Sequence, residues 1–198
     1  MAYDPQVHQV LMFGGETPSS GLNNTWAWDG KGWTQLHPAD VPAASNGSMV
    51  YASATHELLL STSDQTGSKI WAWKNNGWVQ LRAFVARTCT KLAGGGVACS
   101  PPLASGPEGF GSAVYDAALG KIVMQDGLDT WAGDGVTWTK IASLDSSLAN
   151  CFCLAYDSAT RQVLTLAYTG GKFSPAYRQG QELLKVSETL GFLAGPCQ

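Results

Sequence analysis

An eleven-residue cassette, Trp26-Ala-Trp-Asp-Gly-Lys-Gly-Trp33-Thr-Gln-Leu36, constrains the fold more than any other stretch. It returns as Trp71-Ala-Trp-Lys-Asn-Asn-Gly-Trp78-Val-Gln-Leu81 and as Trp131-Ala-Gly-Asp-Gly-Val-Thr-Trp138-Thr-Lys-Ile141, and all eight tryptophans lie in these copies. Each copy reads as a β-hairpin: an aromatic strand, a turn carrying Asp-Gly or Asn-Gly, and Trp-x-x-aliphatic on the way back. Gly, and to a lesser degree Asn and Asp, tolerate the positive φ such turns require. Trp26 and Trp28 are two apart, so they share one sheet face.

A second cassette precedes each hairpin. Its Tyr, at Tyr3, Tyr51, Tyr115 and Tyr156, is followed seven residues later by the aliphatic Val10, Leu58, Ile122 and Val163. The spacing predicts two strands around a short turn, opened by Asp in three of the four copies. Strands a to d then form a four-stranded antiparallel meander, and such units repeated every 40 to 50 residues or so predict an all-β propeller. Approximate blades are 1–36, 49–81, 113–141 and 154–198, the last incomplete, with an insertion over 82–112.

Phe13-Gly14-Gly15, followed by Asn24-Thr25-Trp26 and Trp33, resembles the kelch repeat. The likeness is strongest in the first unit. Ser61-Thr62-Ser63 and Gln125-Asp126-Gly127 replace the glycine doublet later, and the fourth unit has Gly170-Gly171 without a tryptophan hairpin. The resemblance implies a ring of six or seven blades, more than this chain supplies. A piece of a longer propeller, a small four-bladed ring and two copies completing one ring all fit that count. Met1 falling inside the first strand is the expectation for a piece.

Charged residues are only 14% of the chain, and the net charge of -3 gives no electrostatic case for nucleic acid or an anionic membrane. No apolar run approaches the roughly 20 residues of a spanning helix, and no basic stretch followed by an apolar core opens the chain. Five cysteines leave at least one unpaired, and their pairing stays open. Cys89 and Cys99 bracket a Gly-rich loop that a disulfide would close, which favours an extracellular or cell-surface setting. No Cys-x-x-Cys supports zinc, and no metal or cofactor is expected.

In a four-stranded meander the a–b and c–d turns leave one end, and the b–c and d–a connections leave the other. The variable connections are all of the second kind: 16–23, 37–48, 62–69, 82–111, 126–129 and 142–150. Long loops on a rigid scaffold are where binding residues concentrate. The expected ligand-binding set is therefore Glu16, Asn23, Asp64, Phe84, Arg87, Asp126 and Asp129. The expected partner is a protein or glycan, bound without catalysis. Alternatives are the scaffold of a secreted carbohydrate-active or oxidising enzyme whose catalytic residues lie elsewhere, and a structural subunit that completes its ring by self-association.

No catalytic motif is visible. His8 and His56 fall at a turn position that also accepts Gly120 and Arg161, the mark of an exposed turn site. The repeated aromatics Trp26, Trp33, Trp71, Trp78, Trp131 and Trp138 are expected to pack unit against unit. On that reading Trp33→Ala costs about 3 to 5 kcal/mol.

Overall fold

The computed structural model describes residues 1–44, 47–64, 67–85, 89–91, 97–99, 106–107, 112–126, 129–143, 153–169, 172–179 and 182–185. Every regular element among them is a β-strand. Sheet I comprises β1 (Ala2–Asp4), β2 (Gln9–Glu16), β3 (Gly21–Trp28) and β4 (Trp33–Leu36). Sheet II is β5 (Ser48–Ala52), β6 (Glu57–Asp64), β7 (Gly67–Lys74) and β8 (Gly77–Val85). A short hairpin, β9 (Cys89–Lys91) and β10 (Val97–Cys99), lies in the insertion. Sheet III is β11 (Ala113–Asp116), β12 (Lys121–Asp126), β13 (Asp129–Gly133) and β14 (Trp138–Ser143). Sheet IV is β15 (Cys153–Asp157), β16 (Gln162–Thr169), β17 (Lys172–Gln179) and β18 (Glu182–Lys185). All four are antiparallel meanders in sequence order, and none closes on itself.

The a–b turns share one backbone solution. His8, His56, Gly120 and Arg161, at the equivalent position, all have φ between 54° and 63°. The left-handed conformation turns the chain back in register even where Gly is missing, at some cost to the β-carbon. The opening aspartates complete the turn: Asp4 Oδ1 accepts the N–H of Gln6, Asp116 Oδ1 those of Ala118 and Leu119, and Asp157 Oδ1 that of Ala159. The c–d turns have two solutions. Asp29 and Asp134 cap four-residue turns by accepting the N–H groups two and three residues on. In sheet II both turn residues are asparagines in the left-handed region, Asn75 and Asn76. Gly77 has already joined β8, so the expected Asn-Gly turn is an Asn-Asn turn.

Sheets I, II and III pack face to face in that order. Leu11, Phe13 and Ala27 of sheet I meet Met49, Leu58, Leu60 and Trp78 of sheet II. On its other face sheet II presents Val50, Leu59, Ile70, Ala72 and Phe84 to Ile122, Met124 and Trp138 of sheet III. Trp78 and Trp138 are thus the same device, a return-strand indole driven into the preceding sheet, 2% and 6% exposed. Trp78 Nε1 donates to Thr25 Oγ1 at 2.9 Å, and its ring meets Phe13 edge-on. Serines bridge the first strands: Ser48 Oγ accepts the Ala113 N–H, and Ser112 Oγ accepts the Leu154 N–H, each at 3.0 Å.

Trp33 departs from the expectation. It occupies the same register as Trp78 and Trp138 but is 44% exposed, because no sheet among the described residues lies on that side of sheet I. Gly133 is explained by the same packing. A β-carbon there would sit 2.5 Å from Trp138 Cδ2, so the indole lies over the glycine instead of beside a second tryptophan. In sheets I and II the partner remains, as the ring pairs Trp28–Trp33 and Trp73–Trp78.

Two further expectations are corrected. The b–c connections are mostly strand rather than loop. β2 and β3 pair out to Glu16 opposite Gly21, and β6 and β7 out to Asp64 opposite Gly67. The Gly14-Gly15 doublet supplies positive φ for a β-bulge in β2. Strand β8 runs to Val85, so Arg82 and Phe84 belong to the sheet and not to the insertion.

Candidate functional site

The residues expected to form one binding face do not come together as one site. Glu16 and Asn23 are exposed near the tip of the first b–c hairpin. Phe84 is 2% exposed, inside the core between sheets II and III; it covers Gly106 and carries the Arg82 guanidinium over its ring at 5.7 Å. A side chain so enclosed packs the fold and leaves nothing for a ligand. Asp129 is held at the opposite end of β13 from the c–d turn, accepting the Ser143 hydroxyl at 2.6 Å and pairing with Lys140 at 3.4 Å. Asp64 and Asp126 close β6 and β12 opposite Gly67 and Asp129, and only their backbone is described. Arg87 lies outside the described residues. Cys89 and Cys99 stand directly opposite each other in the β9–β10 register; their side chains are not described.

The side chains that do converge are at the other end of the sheets, among the short turns. A cleft of about 810 Å³ opens between the a–b turn of sheet I and the two turns of sheet II. Asp4, Gln6 and Gln9 line it from the first hairpin, Trp73, Asn75 and Asn76 from the β7–β8 hairpin, and His56 from the β5–β6 turn. Leu36 and His37 close the outer side, and the buried Leu11 forms part of the floor.

Each element fixes its contribution by local means. The left-handed backbone of Asn75 and Asn76 holds two amide side chains, both exposed, side by side on a two-residue turn. Trp73 is half-buried with its ring against Trp78, which prevents it from collapsing into the cleft. His56 Nδ1 is 3.2 Å from the Tyr51 hydroxyl. Desolvation, and then the negative charge of Asp4, push that phenol above its ordinary range, so Tyr51 stays protonated. The equivalent pair in sheet I, Tyr3 and His8, is 3.0 Å apart.

Chemically the cleft offers amides, one carboxylate, two imidazoles and an indole. No Lys or Arg lines it. Amide groups both donate and accept, which suits a neutral ligand dense in hydroxyls, and an indole suits the apolar face of such a ligand. Among the described residues no group of three or more His, Cys, Asp or Glu is placed to hold a metal ion.

Loop length drew attention to the opposite end of the sheets from this cleft. Asn75-Asn76, standing where the other units have Asp-Gly turns, and the glutamines flanking the first a–b turn were the available signal. Gln6 stands where the other copies have Ala54, Ala118 and Ala159, whereas Gln9 matches the polar Glu57, Lys121 and Gln162. Their convergence depends on how two sheets pack, which spacing within one unit does not specify. Compared with known families and with curated proteins, the chain matches no family model and no curated sequence.

Proposed function

We propose that the chain is a kelch-like propeller region acting as a non-enzymatic binding module, with a neutral, hydroxyl-rich ligand of the saccharide class held in the cleft between sheets I and II. The propeller reading is supported by the repeated packing of sheet II on sheet I and of sheet III on sheet II, and by the serine links from sheet II to sheet III and from sheet III to sheet IV. The ligand reading rests on one observation: Gln6, Gln9, Asn75 and Asn76 line a cleft beside the half-buried Trp73, and no Lys or Arg is among the lining residues. The turn fixes the backbone of the two asparagines, so only their side chains are left to order on binding.

The test is calorimetric titration with a panel of neutral oligosaccharides. Asn75→Gly and Asn76→Gly keep the left-handed turn while deleting the amides, and each is expected to weaken binding about tenfold, near 1.4 kcal/mol. Thermal midpoints should not fall, since glycine tolerates the same left-handed backbone. Undiminished binding in the double variant refutes the cleft as the site. A protein partner at the 86–112 insertion is the second reading, favoured by the opposed Cys89 and Cys99 backbones, which would let a disulfide stiffen the hairpin.

A further inference from the structure

We propose that Asp4 is a positioning residue that holds the cleft between sheets I and II open, by keeping the Gln6 N–H from docking on the Tyr51 hydroxyl of the neighbouring sheet. The inference rests on the cleft being the ligand site.

The molecule carries its own comparison. β1 lies beside β5 as β5 lies beside β11. At the junction of sheets II and III, the place that corresponds to the cleft is closed down to about 20 Å³, against about 810 Å³ between sheets I and II. Register and spacing equate the residues around the two: Asp4 with Ala52, Gln6 with Ala54, Tyr51 with Tyr115 and Trp73 with Gly133.

The two junctions differ in where one N–H goes. Ala52 offers its own turn no side-chain acceptor, and the Ala54 N–H donates across the junction to the Tyr115 hydroxyl at 3.0 Å, tying sheet II to sheet III. In sheet I the equivalent N–H, that of Gln6, is taken at 2.9 Å by Asp4 Oδ1 within its own turn. The Tyr51 hydroxyl has turned to its own sheet as well, 3.2 Å from His56 Nδ1, a partner that Gly120 cannot give Tyr115. Packing follows the same division. Gly135 lies against Leu59 and Leu81 of sheet II, whereas their counterparts Leu11 and Leu36 line the open cleft.

A carboxylate suits this task. Hydrogen bonds to a charged acceptor are roughly twice as strong as those between neutral groups, so Asp4 outcompetes a phenol on another sheet. Without it the Gln6 N–H lacks a partner, and Tyr51 is the acceptor placed as Tyr115 is for Ala54. Alanine is compatible with the turn, since Ala52 already occupies that place in sheet II.

The informative variants are Asp4→Ala, which frees the N–H, Asp4→Asn, whose amide oxygen can still accept it, and Asp4→Ala made in a Tyr51→Phe background. Tyr51 is not one of the described residues that line the cleft, so that background separates closure from a lost ligand contact. In ligand-free protein, NMR should show an Overhauser contact between the Gln6 amide proton and the Tyr51 ring that is stronger in Asp4→Ala than in the parent or Asp4→Asn. With the panel of neutral oligosaccharides, Asp4→Ala should bind about tenfold more weakly, the population shift that one net hydrogen bond gives, and Asp4→Asn like the parent. In the Tyr51→Phe background, Asp4→Ala should change binding no more than about twofold. Spectra in which Asp4→Ala gains no Gln6–Tyr51 contact overturn the proposal, as does an equal loss of binding with and without the Tyr51 hydroxyl. A parent that binds no saccharide refutes the ligand reading alone, because the ligand-free spectra still decide whether Asp4 holds the cleft open.

Discussion

Trp78 and Trp33 occupy the same place in two copies of one cassette, and their consequences for stability should differ sharply. Trp78 is 2% exposed, wedged between Phe13 and Trp73, with its Nε1 on Thr25. A tryptophan buries about 150 to 250 Å², which at about 25 cal/mol per Å² is worth roughly 4 to 6 kcal/mol. Truncation to alanine keeps the β-carbon but leaves a cavity, so Trp78→Ala should cost about 4 to 5 kcal/mol. Trp33 keeps 44% of its surface in water on an edge strand, where the neighbourhood can relax into solvent. Trp33→Ala should cost only about 1 to 2 kcal/mol, below the range for a core tryptophan. Urea unfolding followed by far-ultraviolet dichroism reads both. Equal losses for the two variants would refute the claim that packing on a preceding sheet, and not the cassette itself, sets the value of the indole.

Three smaller perturbations probe the turns. Gly133→Ala should destabilise by about 1 to 3 kcal/mol, since its β-carbon would fall 2.5 Å from both Thr137 O and Trp138 Cδ2; a neutral result in thermal melts would mean the indole can slide aside. Arg161→Gly should stabilise by about 1 kcal/mol, because Arg161 sits at φ 59° where sheet III already has glycine, and an unchanged urea midpoint would count against backbone strain there. Acid should weaken the fold in a defined window. The Asp29 carboxyl is held below its usual range by the Gly32 and Lys31 N–H groups, and Asp157 by the Thr160 hydroxyl and Ala159 N–H. For Asp134 desolvation pulls upward, but the Thr137 and Val136 N–H groups outweigh it. Folded values below unfolded ones mean this stability is complete above the unfolded carboxylate value of about 3.9, and is lost as pH falls through the folded values. Asp134→Asn should therefore flatten the stability–pH curve below about pH 4, and an identical acid limb would show that the turn bonds do not discriminate between charge states.

How far the sequence could be read follows from which interactions are local. The Tyr-to-aliphatic spacing of seven and the Trp hairpins lie within single units, so strand order and antiparallel pairing could be read from them directly. The turn position shared by His8, His56, Gly120 and Arg161 was equally visible, since only a turn accepts that set, though its left-handed backbone was not. What the units do to each other was not. Trp33 and Trp78 are indistinguishable as letters, and only the presence or lack of a neighbouring sheet separates them. Phe84 looked like a loop residue because β8 extends beyond the repeat's usual end, and that extension is held by pairing with Gly67 to Ile70. The cleft escaped for the same reason. Its amides come from two sheets, and loop length carries no information about side chains on tight turns.

The position before the first cassette tryptophan shows how one such inter-sheet choice works. It is Thr25 in sheet I, Ile70 in sheet II and Thr130 in sheet III. The hydroxyl of Thr25 satisfies the Nε1 of Trp78, whereas Trp138 meets Ile70 and its Nε1 is buried without a partner. Thr130 faces no following tryptophan and donates instead to Gln125 Oε1 within its own sheet. The indole is therefore driven in by area, with the hydrogen bond an addition that one interface has and the next lacks. Thr25→Val keeps the volume and deletes the acceptor, and should cost about 1 to 3 kcal/mol as the price of an orphaned donor. The Trp78 Nε1–H proton, followed by NMR, should shift upfield and exchange faster with solvent. Were Thr25→Val neutral in urea unfolding while the proton stayed protected, the 2.9 Å contact would be incidental, and the two interfaces would be energetically alike despite their different chemistry.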